Sequence, residues 1–513
     1  MTLKETLNTL DMKKILLMIG FTLAQVALMM GQWTSPGNGT TYTLRDLVTA
    51  SEGCVTHAGG NNPYRIHNDL TIAPNDRLTV VADDFTGIDA DAGGILCHGN
   101  VLLTIKGALV IDCEGIDVYL EPDSVSHLRV VLDHSTEPCL FNRTKMYYLG
   151  GIYADESPVT FNDCMFQSFD KNQQPGAVVY QNCDPVFANC IFQGNYGSAI
   201  ACAAGSTGSP QIDRCEFRYN VLSKENMPQL DFGPGNNDTI RLLNSRVVGL
   251  YPLVSGVYVA DTTQTGDTKI LIKNNFIADN RYGYRQQGYA IDALILDNEI
   301  VCNQIAPDPT NDGSGIRLEG ASDRCKATLR HNLIKSNLWG VTLQGHAVAD
   351  LGTADDYGRN IFLTNHNSTS GNDLEYALYV EGTNDVSAIG NYWGSDTEAY
   401  AENVIYHRPD LGEDHGLVSY LPILTVNDWN VGENQPALLE AYPNPTAGVL
   451  TLKTGQDDGF AYEVYSITGQ QVLHGTSVEG MTTLHLEALP AGLYSVITRL
   501  NGNKTKSIVI LKQ

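Results

Sequence analysis

One stretch of this sequence decides its fold: Leu329-Arg330-His331-Asn332-Leu333-Ile334-Lys335-Ser336-Asn337. An apolar residue is followed after three positions by a small polar residue, after two more by a second apolar residue, and after a further three by Asn. The pattern recurs between residues 158 and 396, and its small polar position is occupied by Cys164, Cys190, Cys215, Ser245, Asn275, Asn298, Asn332, Asn360 and Asn391. The closing Asn recurs as Asn195, Asn220, Asn280, Asn303, Asn337 and Asn365. Successive copies are 23 to 34 residues apart, so the middle of the chain is an array of repeated units.

A second strand-like segment lies between these motifs. Gly315–Gly320, Gly340–Gly345 and Ala377–Gly382 alternate apolar and polar residues, as a strand with one buried face does. The fixed Leu-x-Leu spacing of leucine-rich repeats is absent, and each repeat is too short for the four strands of a propeller blade. The sequence therefore predicts an all-β fold, a parallel β-helix (solenoid) whose coils stack about 4.8 Å apart. The mean repeat length gives about twelve to thirteen coils over residues 70–425.

Stacking assigns a role to each position of the pattern. The apolar positions, three before and two after the small polar residue, should line the interior; in one late repeat these are Tyr357 and Phe362. The Asn residues should form an asparagine ladder, each amide bonded to its neighbour in the next coil. Cys164, Cys190 and Cys215 are interpreted as small buried groups in the same slot, in preference to metal binding or catalysis. Eleven cysteines cannot all pair within the chain, and their disulfide state stays open.

The repeat resembles the right-handed parallel β-helix repeat family found in polysaccharide lyases, glycosidases and bacterial surface proteins. The resemblance rests on segments such as residues 157–166 and Asn391-Tyr392-Trp393-Gly394-Ser395. Residues 70–74 and 101–107 are interpreted as earlier coils, which predicts a β-helix over residues 70–425. Residues 32–69 are then predicted to cap its open end, and residues 426–437 to form a linker.

The end of the chain carries four short blocks punctuated by Pro, Asn and Gly: Tyr442-Pro443-Asn444-Pro445-Thr446-Ala447-Gly448, Val464–Val472 around Gly469, Leu489–Tyr494 around Gly492, and Lys506–Lys512. Their short alternating apolar runs predict a small β-sandwich. Their order resembles the C-terminal sorting domain of proteins exported by the type IX secretion system of Bacteroidetes-type bacteria. The resemblance covers residues 438–513 and implies that the secretion machinery is a partner. An ordinary immunoglobulin-like sandwich is the alternative.

The other end of the chain predicts export as well. Lys13-Lys14 precede the apolar run Ile15–Met30, which has the composition of a signal peptide and is short for a membrane span. Residues 1–31 are therefore predicted to be a signal peptide, although the cleavage site and the choice between Met1 and Met12 as start stay open. We expect an exported protein, on the cell surface or outside the cell, with no integral membrane span in the mature chain.

Charge limits the partners. The formal net charge is −26, which repels nucleic acids and anionic membranes and attracts divalent cations or basic partners. The segment Asp83-Asp84-Phe85-Thr86-Gly87-Ile88-Asp89-Ala90-Asp91 offers four carboxylates, Asp83, Asp84, Asp89 and Asp91, that could hold Ca²⁺. It lacks the order of an EF-hand loop, and a solvated acidic turn is the favoured interpretation. No cofactor is expected otherwise.

The sequence contains no familiar catalytic motif. Arg281, Tyr284 and Arg285 form the weak candidate ligand site, because Arg binds carboxylates with two parallel bonds and Tyr stacks on sugars. The plain alternative is an ordinary turn between coils. Three functions stay open: a glycan-binding or adhesin-like scaffold, a polysaccharide lyase or glycoside hydrolase, and a structural surface spacer. Arg and carboxylates converging on one lateral groove would favour the enzyme, and an evenly polar face would favour the scaffold or spacer.

Overall fold

The computed structural model describes residues 31–513 except 61, 86–92, 98, 114–116, 123–126, 171–174, 265, 306–311, 368–373, 427, 429–438, 443–445, 467–470, 501–503 and 513. The chain divides into two compact units, Met1–Val426 and Asn427–Gln513. The predicted signal peptide and most of the predicted linker lie outside the described residues. The exact domain boundaries therefore stay predictions.

The first unit is a right-handed parallel β-helix built from three long sheets, here called A, B and C. Along the chain, a typical coil contributes one strand to A, then one to B, then one to C; the first coil gives two strands to C, and the last two coils give C none that the structure describes. Sheet A contains Trp33–Thr34, Leu70–Ile72, Asn100–Ile105, His127–Asp133, Gly151–Asp155, Gly176–Gln181, Ser198–Cys202, Pro228–Phe232, Ser255–Asp261, Tyr284–Gly288, Ser314–Gly320, Trp339–Gly345, Leu378–Val380 and Ile405–Tyr406. Thirteen of these 14 strands begin at Leu70 or later, in agreement with the predicted number of coils.

Sheet B follows sheet A in every coil. Its 14 strands are Thr41–Tyr42, Arg77–Val80, Ala108–Ile111, Cys139–Asn142, Val159–Asn162, Val186–Ala188, Gln211–Asp213, Thr239–Leu243, Thr268–Lys273, Ile291–Leu296, Lys326–Arg330, Val348–Asp350, Val386–Ser387 and Val418–Ser419. The 13 strands of sheet C are Val55–His57, Tyr64–Ile66, Gly93–Cys97, Val118–Pro122, Thr144–Tyr147, Met165–Gln167, Ile191–Gln193, Glu216–Arg218, Arg246–Val248, Phe276–Ala278, Glu299–Val301, Leu333–Lys335 and Ile361–Leu363. The pairing within the three sheets is parallel except for Val55–His57 with Tyr64–Ile66.

The repeated apolar positions line the interior, as predicted. Phe141, Phe161 and Phe187 stack with ring centroids 4.8 and 5.1 Å apart. Phe166, Phe192 and Phe217 form a second stack at 4.1 and 5.1 Å. Tyr357 is an exception, because it is only half-buried. Residues 352–358 form an inserted loop, and buried Leu351 takes the interior place of this coil.

The asparagine ladder is confirmed. Asn275, Asn298, Asn332, Asn360 and Asn391 are buried, and each of the first four donates its amide to the next side chain at 2.9–3.0 Å. Each side chain also donates to a backbone carbonyl of the preceding coil, as Asn332 does to Ile295 at 2.8 Å. Every buried amide is therefore used twice, which offsets the cost of removing it from water.

The other positions of the same slot continue this chain of bonds. The Cys190 backbone N–H donates to Cys215 Sγ at 3.4 Å, and the Cys215 N–H donates to Ser245 Oγ at 3.0 Å. Cys164, Cys190 and Cys215 are buried free thiols. Burial raises the pKa of Cys190 and Cys215, as expected for structural and unreactive cysteines.

The ends of the β-helix are closed by local structure. Near its start, the helix α1 (Leu44–Ala50) begins at Thr43, whose side chain accepts from the Asp46 N–H in a capping box. Leu44 and Leu47 of α1 join the interior. Near its end, α2 (Glu398–Val404) contributes Ala401 and Val404 to the same core, followed by α3 (Arg408–Leu411). A 3₁₀ turn (Ala82–Phe85) and a short antiparallel pair, His366–Asn367 with Leu374–Glu375, complete this unit.

The second unit is a small β domain, as predicted. Its described strands, Leu439–Tyr442, Val449–Ser466, Gln471–His485, Gly492–Leu500 and Lys504–Lys512, form one antiparallel sheet. Leu450, Leu452, Val464, Leu484 and Val496 lie at the centre of its own apolar cluster. The domain therefore has a core separate from that of the β-helix.

Candidate functional site

The predicted ligand residues Arg281 and Arg285 both lie at sheet A, but Tyr284 does not share their surface. Tyr284 begins the strand Tyr284–Gly288, its side chain is fully buried, and its hydroxyl donates to Gln286 Oε1 at 3.0 Å. Its ring belongs to the interior, because alternate side chains of a strand point to opposite faces. The neighbouring Tyr282 takes the place beside the two arginines that the sequence analysis gave to Tyr284.

Arg285 belongs to a line of residues on the outer face of sheet A, here called the outer row. Strand pairing places these residues in register on seven successive strands: Asp231, Tyr258, Arg285, Arg317, Thr342, Tyr379 and Tyr406. Except for buried Thr342, all are half-buried. Six steps at strand spacing make the row about 29 Å long. Charged and aromatic side chains thus line one lateral face on either side of buried Thr342.

The middle of the outer row meets an arginine cluster, defined as Arg281, Arg285, Arg317, Tyr282, Asp312 and Glu319. The three guanidinium carbons lie 5.2, 5.5 and 5.3 Å from the centre of the Tyr282 ring. Such contacts hold the flat guanidinium groups against the ring by cation–π attraction. The positions of the charged groups are therefore fixed before any ligand arrives.

Two carboxylates complete the cluster. Arg281 Nη2 lies 2.8 Å from Asp312, and Arg285 Nη2 lies 2.7 Å from Glu319. Arg317 also pairs with Glu319 through Nε, and its Nη2 donates to Gln344 Oε1 at 2.7 Å. Arg and carboxylates thus converge on one lateral face. Both carboxylates are already held in ion pairs, so neither is placed to act as a free acid or base.

The electrostatics of the cluster follow from burial and pairing. Burial, together with the hydrogen bond to Asp312, raises the pKa of Tyr282 to about 12. Burial acts to lower the pKa of Arg285, but the attraction of Glu319 outweighs it and the pKa is raised. At neutral pH the cluster therefore presents a protonated phenol and charged guanidinium groups.

One end of the row is an aromatic cluster, defined as Trp339, Tyr376, Tyr379 and Tyr406. The Trp339 ring lies 4.3 Å from Tyr376 and 5.1 Å from Tyr379, and Tyr376 lies 4.6 Å from Tyr406. All four rings are half-buried, so part of each ring faces solvent. Burial raises the pKa of all three phenols, which stay neutral hydrogen-bond donors.

The opposite end of the row is Asp231. Its side chain makes no hydrogen bond to any residue that the structure describes. Burial raises its pKa from 3.8 to about 6, because the charged form loses water without gaining a partner. The adjacent residue in the row is Tyr258, whose hydroxyl donates to Gln287 Oε1 at 2.9 Å.

Of the predicted calcium residues, Asp84 has a structural role. Asp84 is buried, accepts from the Val81 N–H at 3.1 Å and lies beside the first turn of α1, accepting from the Arg45 N–H at 3.3 Å. Asp83 lies in the same turn, and Asp89 and Asp91 lie outside the described residues. A group that the sequence analysis missed is Asp133, His134 and Asp155, whose ligand atoms lie within 4.8 Å of one another. Asp133 there already pairs with Lys106 at 3.0 Å and with His134 at 2.8 Å.

The predicted sorting residues lie in the small β domain. Tyr442 is exposed, whereas Pro443, Asn444, Pro445 and Gly469 lie outside the described residues. Gly448 has φ +151°, and a Cβ atom there would lie 2.8 Å from Glu487 Cγ. Gly492 has φ +157° with open space around it. A side chain at position 448 would therefore displace Glu487.

Comparison with known families identifies this domain. Residues 440–512 match the family described as "Secretion system C-terminal sorting domain". They are a type IX sorting domain. The protein is therefore exported and handled by the secretion machinery that reads such domains. None of the helices that the structure describes has the length and apolar character needed to span a bilayer.

Part of the β-helix matches a family described as having no known function. Residues 224–398, which include most of the outer row, match the family described as "Protein of unknown function (DUF1565)". A comparison with curated proteins finds no significant match.

Solved structures with a similar fold are distant in sequence. The periplasmic alginate epimerase AlgG is 10% identical with a TM-score of 0.40, over 75% of this chain and 81% of that one. The enzymatically active domain of bacteriophage CBA120 tailspike protein 2 is 10% identical with a TM-score of 0.32, over 84% and 72%. The tailspike gp49 of Acinetobacter baumannii bacteriophage Fri1, a capsular polysaccharide depolymerase, is 10% identical with a TM-score of 0.23, over 95% and 78%. Similarity this distant carries no conclusion about chemistry.

Most of the outer row was missed by the sequence analysis. Its signal is nevertheless in the strand segments quoted there: Arg317, Thr342 and Tyr379 are the central polar positions of Gly315–Gly320, Gly340–Gly345 and Ala377–Gly382. Aligning these segments coil by coil places the three residues in one line. Tyr282 and Tyr376 lie just before their strands, and Trp339 is the first residue of its strand. The alternation along a strand therefore does not predict which way these three side chains point.

Proposed function

We propose that this exported protein binds a polysaccharide along the outer row of sheet A. The observation that carries the proposal is the aromatic cluster, in which four rings from neighbouring coils share one half-exposed surface. The apolar face of a ring packs against the C–H face of a sugar, while Tyr and Trp edges offer hydrogen bonds. A repeating polymer suits a surface that itself repeats at strand spacing.

The arrangement argues against a structural spacer. A spacer needs only an evenly polar surface. Clusters of large, half-exposed apolar side chains, in contrast, are expected at binding sites. Polar groups on and beside the row supply the few oriented hydrogen-bonding positions that give a sugar site its specificity: Arg285 lies on the row, and Gln287 and Gln344 lie two residues further along their strands. The row also lies outside the sorting domain, so export and binding use separate parts of the chain.

The proposal is tested by removing rings from the aromatic cluster. A glycan array identifies a ligand for the wild-type protein, and calorimetry then compares the double variant Trp339→Ala/Tyr379→Ala with it. We expect the affinity to fall by at least about tenfold, since the variant loses two stacking contacts. The matched control is Tyr147→Ala, which removes a half-buried ring of the Tyr119–Tyr147 pair on sheet C. Equal affinity of the double variant and the wild type would refute the proposed surface.

A second candidate function is cleavage of the polysaccharide, by elimination or hydrolysis. It is favoured by Asp231, a half-buried carboxyl on the same row whose pKa of about 6 suits proton transfer near neutral pH. The convergence of Arg and carboxylates on this face points in the same direction. Reducing-end and unsaturated-product assays on the bound polysaccharide test it. If Asp231 transfers a proton, Asp231→Asn abolishes product formation while binding is retained; lack of product from the wild type leaves binding as the function.

A further inference from the structure

The arginine cluster carries an excess of positive charge. Arg281 is balanced by Asp312, whereas the single carboxylate of Glu319 is shared by Arg285 and Arg317. Among the residues that the structure describes, three guanidinium groups therefore face two carboxylates in this cluster. The arginine side chains are at most 25% exposed, so water screens the remaining charge less than it would on an open surface. The excess stands out in a chain whose net charge is −26.

Arg285 has one hydrogen-bond donor, Nη1, that no described residue uses. Its Nε and Nη2 donate to Glu319 Oε2 at 3.1 and 2.7 Å, and Nη2 also lies 3.3 Å from Gln287 Oε1. No residue that the structure describes accepts a hydrogen bond from Nη1. A quarter of the side chain is exposed, so this nitrogen is open to a ligand.

The orientation of Arg285 is set in advance. Its guanidinium carbon lies 5.2 Å from the centre of the Tyr258 ring and 5.5 Å from that of Tyr282, and Glu319 holds its other edge. A side chain that is already ordered loses little further freedom on binding, which favours tight and specific contacts. Such a group recognises planar anions better than a mobile lysine on the surface does.

We propose that Arg285 binds the carboxylate of a uronic-acid residue in the polysaccharide, so that the ligand is an acidic glycan. This inference rests on the proposed function, because it assigns the class of sugar that occupies the middle of the outer row. The aromatic cluster stacks on the sugar rings, and Arg285 selects the charged substituent. The overall negative charge of the protein opposes non-specific adsorption of a polyanion, which leaves binding to the local positive site.

The test compares the charged and the neutral form of each of three polymers. The full-length secreted protein is titrated with polygalacturonate, polymannuronate and polyglucuronate, and with the same polymers after chemical reduction of their carboxyl groups. We expect at least one polyuronate to bind, and carboxyl reduction to weaken it by about tenfold or more. Added salt should weaken the charged form alone. A sulfated neutral polymer serves as a further arm, and tighter binding to it than to every polyuronate overturns the assignment.

Variants distinguish loss of the contact between Arg285 and the uronate carboxylate from a general effect on the fold. Arg285→Lys keeps the charge that balances Glu319 but loses the planar fork, and should weaken the polyuronate by about tenfold while leaving the reduced polymer unchanged. The matched control is Arg214→Lys, an arginine that is 59% exposed and paired with Asp213 away from the row. Equal binding of the charged and reduced polymers overturns the inference but not the proposed function. If Trp339→Ala/Tyr379→Ala leaves all binding unchanged, the proposed function fails as well.

Discussion

Side chains alternate between the two faces of a strand, and this alternation decides which residues reach a ligand. Arg285 and Tyr284 are neighbours in sequence, but only Arg285 is on the outer face, and Tyr284 is in the interior. The arginine part of the candidate site was therefore predictable from residue type. The tyrosine was not, because the chain bends at Gly283, between Tyr282 and Tyr284, and the sequence pattern does not show this bend.

Asp231 gives a prediction about stability and pH. Its folded pKa is raised to about 6 by burial, so the native state binds the proton more tightly than the unfolded chain does. This contribution to stability is present below the unfolded pKa, near 3.8, and is lost as pH rises through about 6. We expect Asp231→Asn to be more stable than the wild type by roughly 2 kcal/mol at pH 7, since no buried charge forms.

Urea unfolding at several pH values measures this difference. The gain should shrink as pH falls through about 6 and vanish well below the unfolded pKa of 3.8, where the wild-type carboxyl is protonated in both states. Exposed Asp355→Asn is the control and should change little at any pH. A destabilised Asp231→Asn variant at pH 7 would show that the carboxylate has a favourable partner.

Ladders hold successive coils in register. The Asn ladder at the small polar position of the repeat, here called the inner ladder, can be predicted from the sequence because its spacing is regular. The second ladder, of Asn195, Asn220, Asn280, Asn303, Asn337 and Asn365, skips one coil, where exposed Leu250 occupies the Asn position. Gln229 from sheet A fills the gap: it accepts from Asn220 at 3.1 Å and donates to Asn280 at 3.1 Å. No local pattern predicts this bridge, because it comes from a different part of the coil.

Substitutions of Asn298 test how much the inner ladder contributes to stability. Its side chain accepts from Asn275 at 3.0 Å and donates to Asn332 at 3.0 Å and to the Ile272 carbonyl at 2.9 Å. Asn298→Leu should destabilise the protein by roughly 1–3 kcal/mol, because buried groups on both neighbouring coils lose partners. Asn298→Asp should cost more, because it places a negative charge against acceptor oxygens.

The unfolding midpoint in urea measures both variants. Asn403→Leu, on the exposed side of α2, is the control for adding an apolar side chain in place of Asn. Unchanged midpoints for both Asn298 variants would mean that the ladder contributes nothing to stability.

The repeat and the terminal blocks make the two-part molecule predictable from sequence. Regular periodicity predicts the β-helix, but it assigns Tyr357 wrongly to the interior. The inserted loop 352–358 places Tyr357 outside the interior position, which Leu351 occupies instead. The face that would bind a ligand was less predictable, because the outer row joins residues that are far apart in sequence. Only the stacking of coils brings Asp231 and Tyr406 onto one line.

The last step of export should depend on the second unit. The two units have separate cores, so deletion of residues 438–513 should leave a folded β-helix. We expect that truncated protein to accumulate in the periplasm, since the sorting domain is read at a later step than the predicted signal peptide. Immunoblots of periplasm, cell surface and medium measure the distribution. Delivery of the truncated protein at the wild-type level would contradict the role of the sorting domain.

Glycan contact with the outer row is the central claim, and oxidative footprinting of the bound complex tests it most directly. Hydroxyl radicals label solvent-facing Trp and Tyr side chains, and mass spectrometry compares the labelling with and without the polysaccharide. The account predicts protection of Trp339, Tyr379 and Tyr406 and unchanged labelling of Tyr147 and Tyr148, which face solvent elsewhere. Protection at Tyr147 and Tyr148 with none in the aromatic cluster would contradict it.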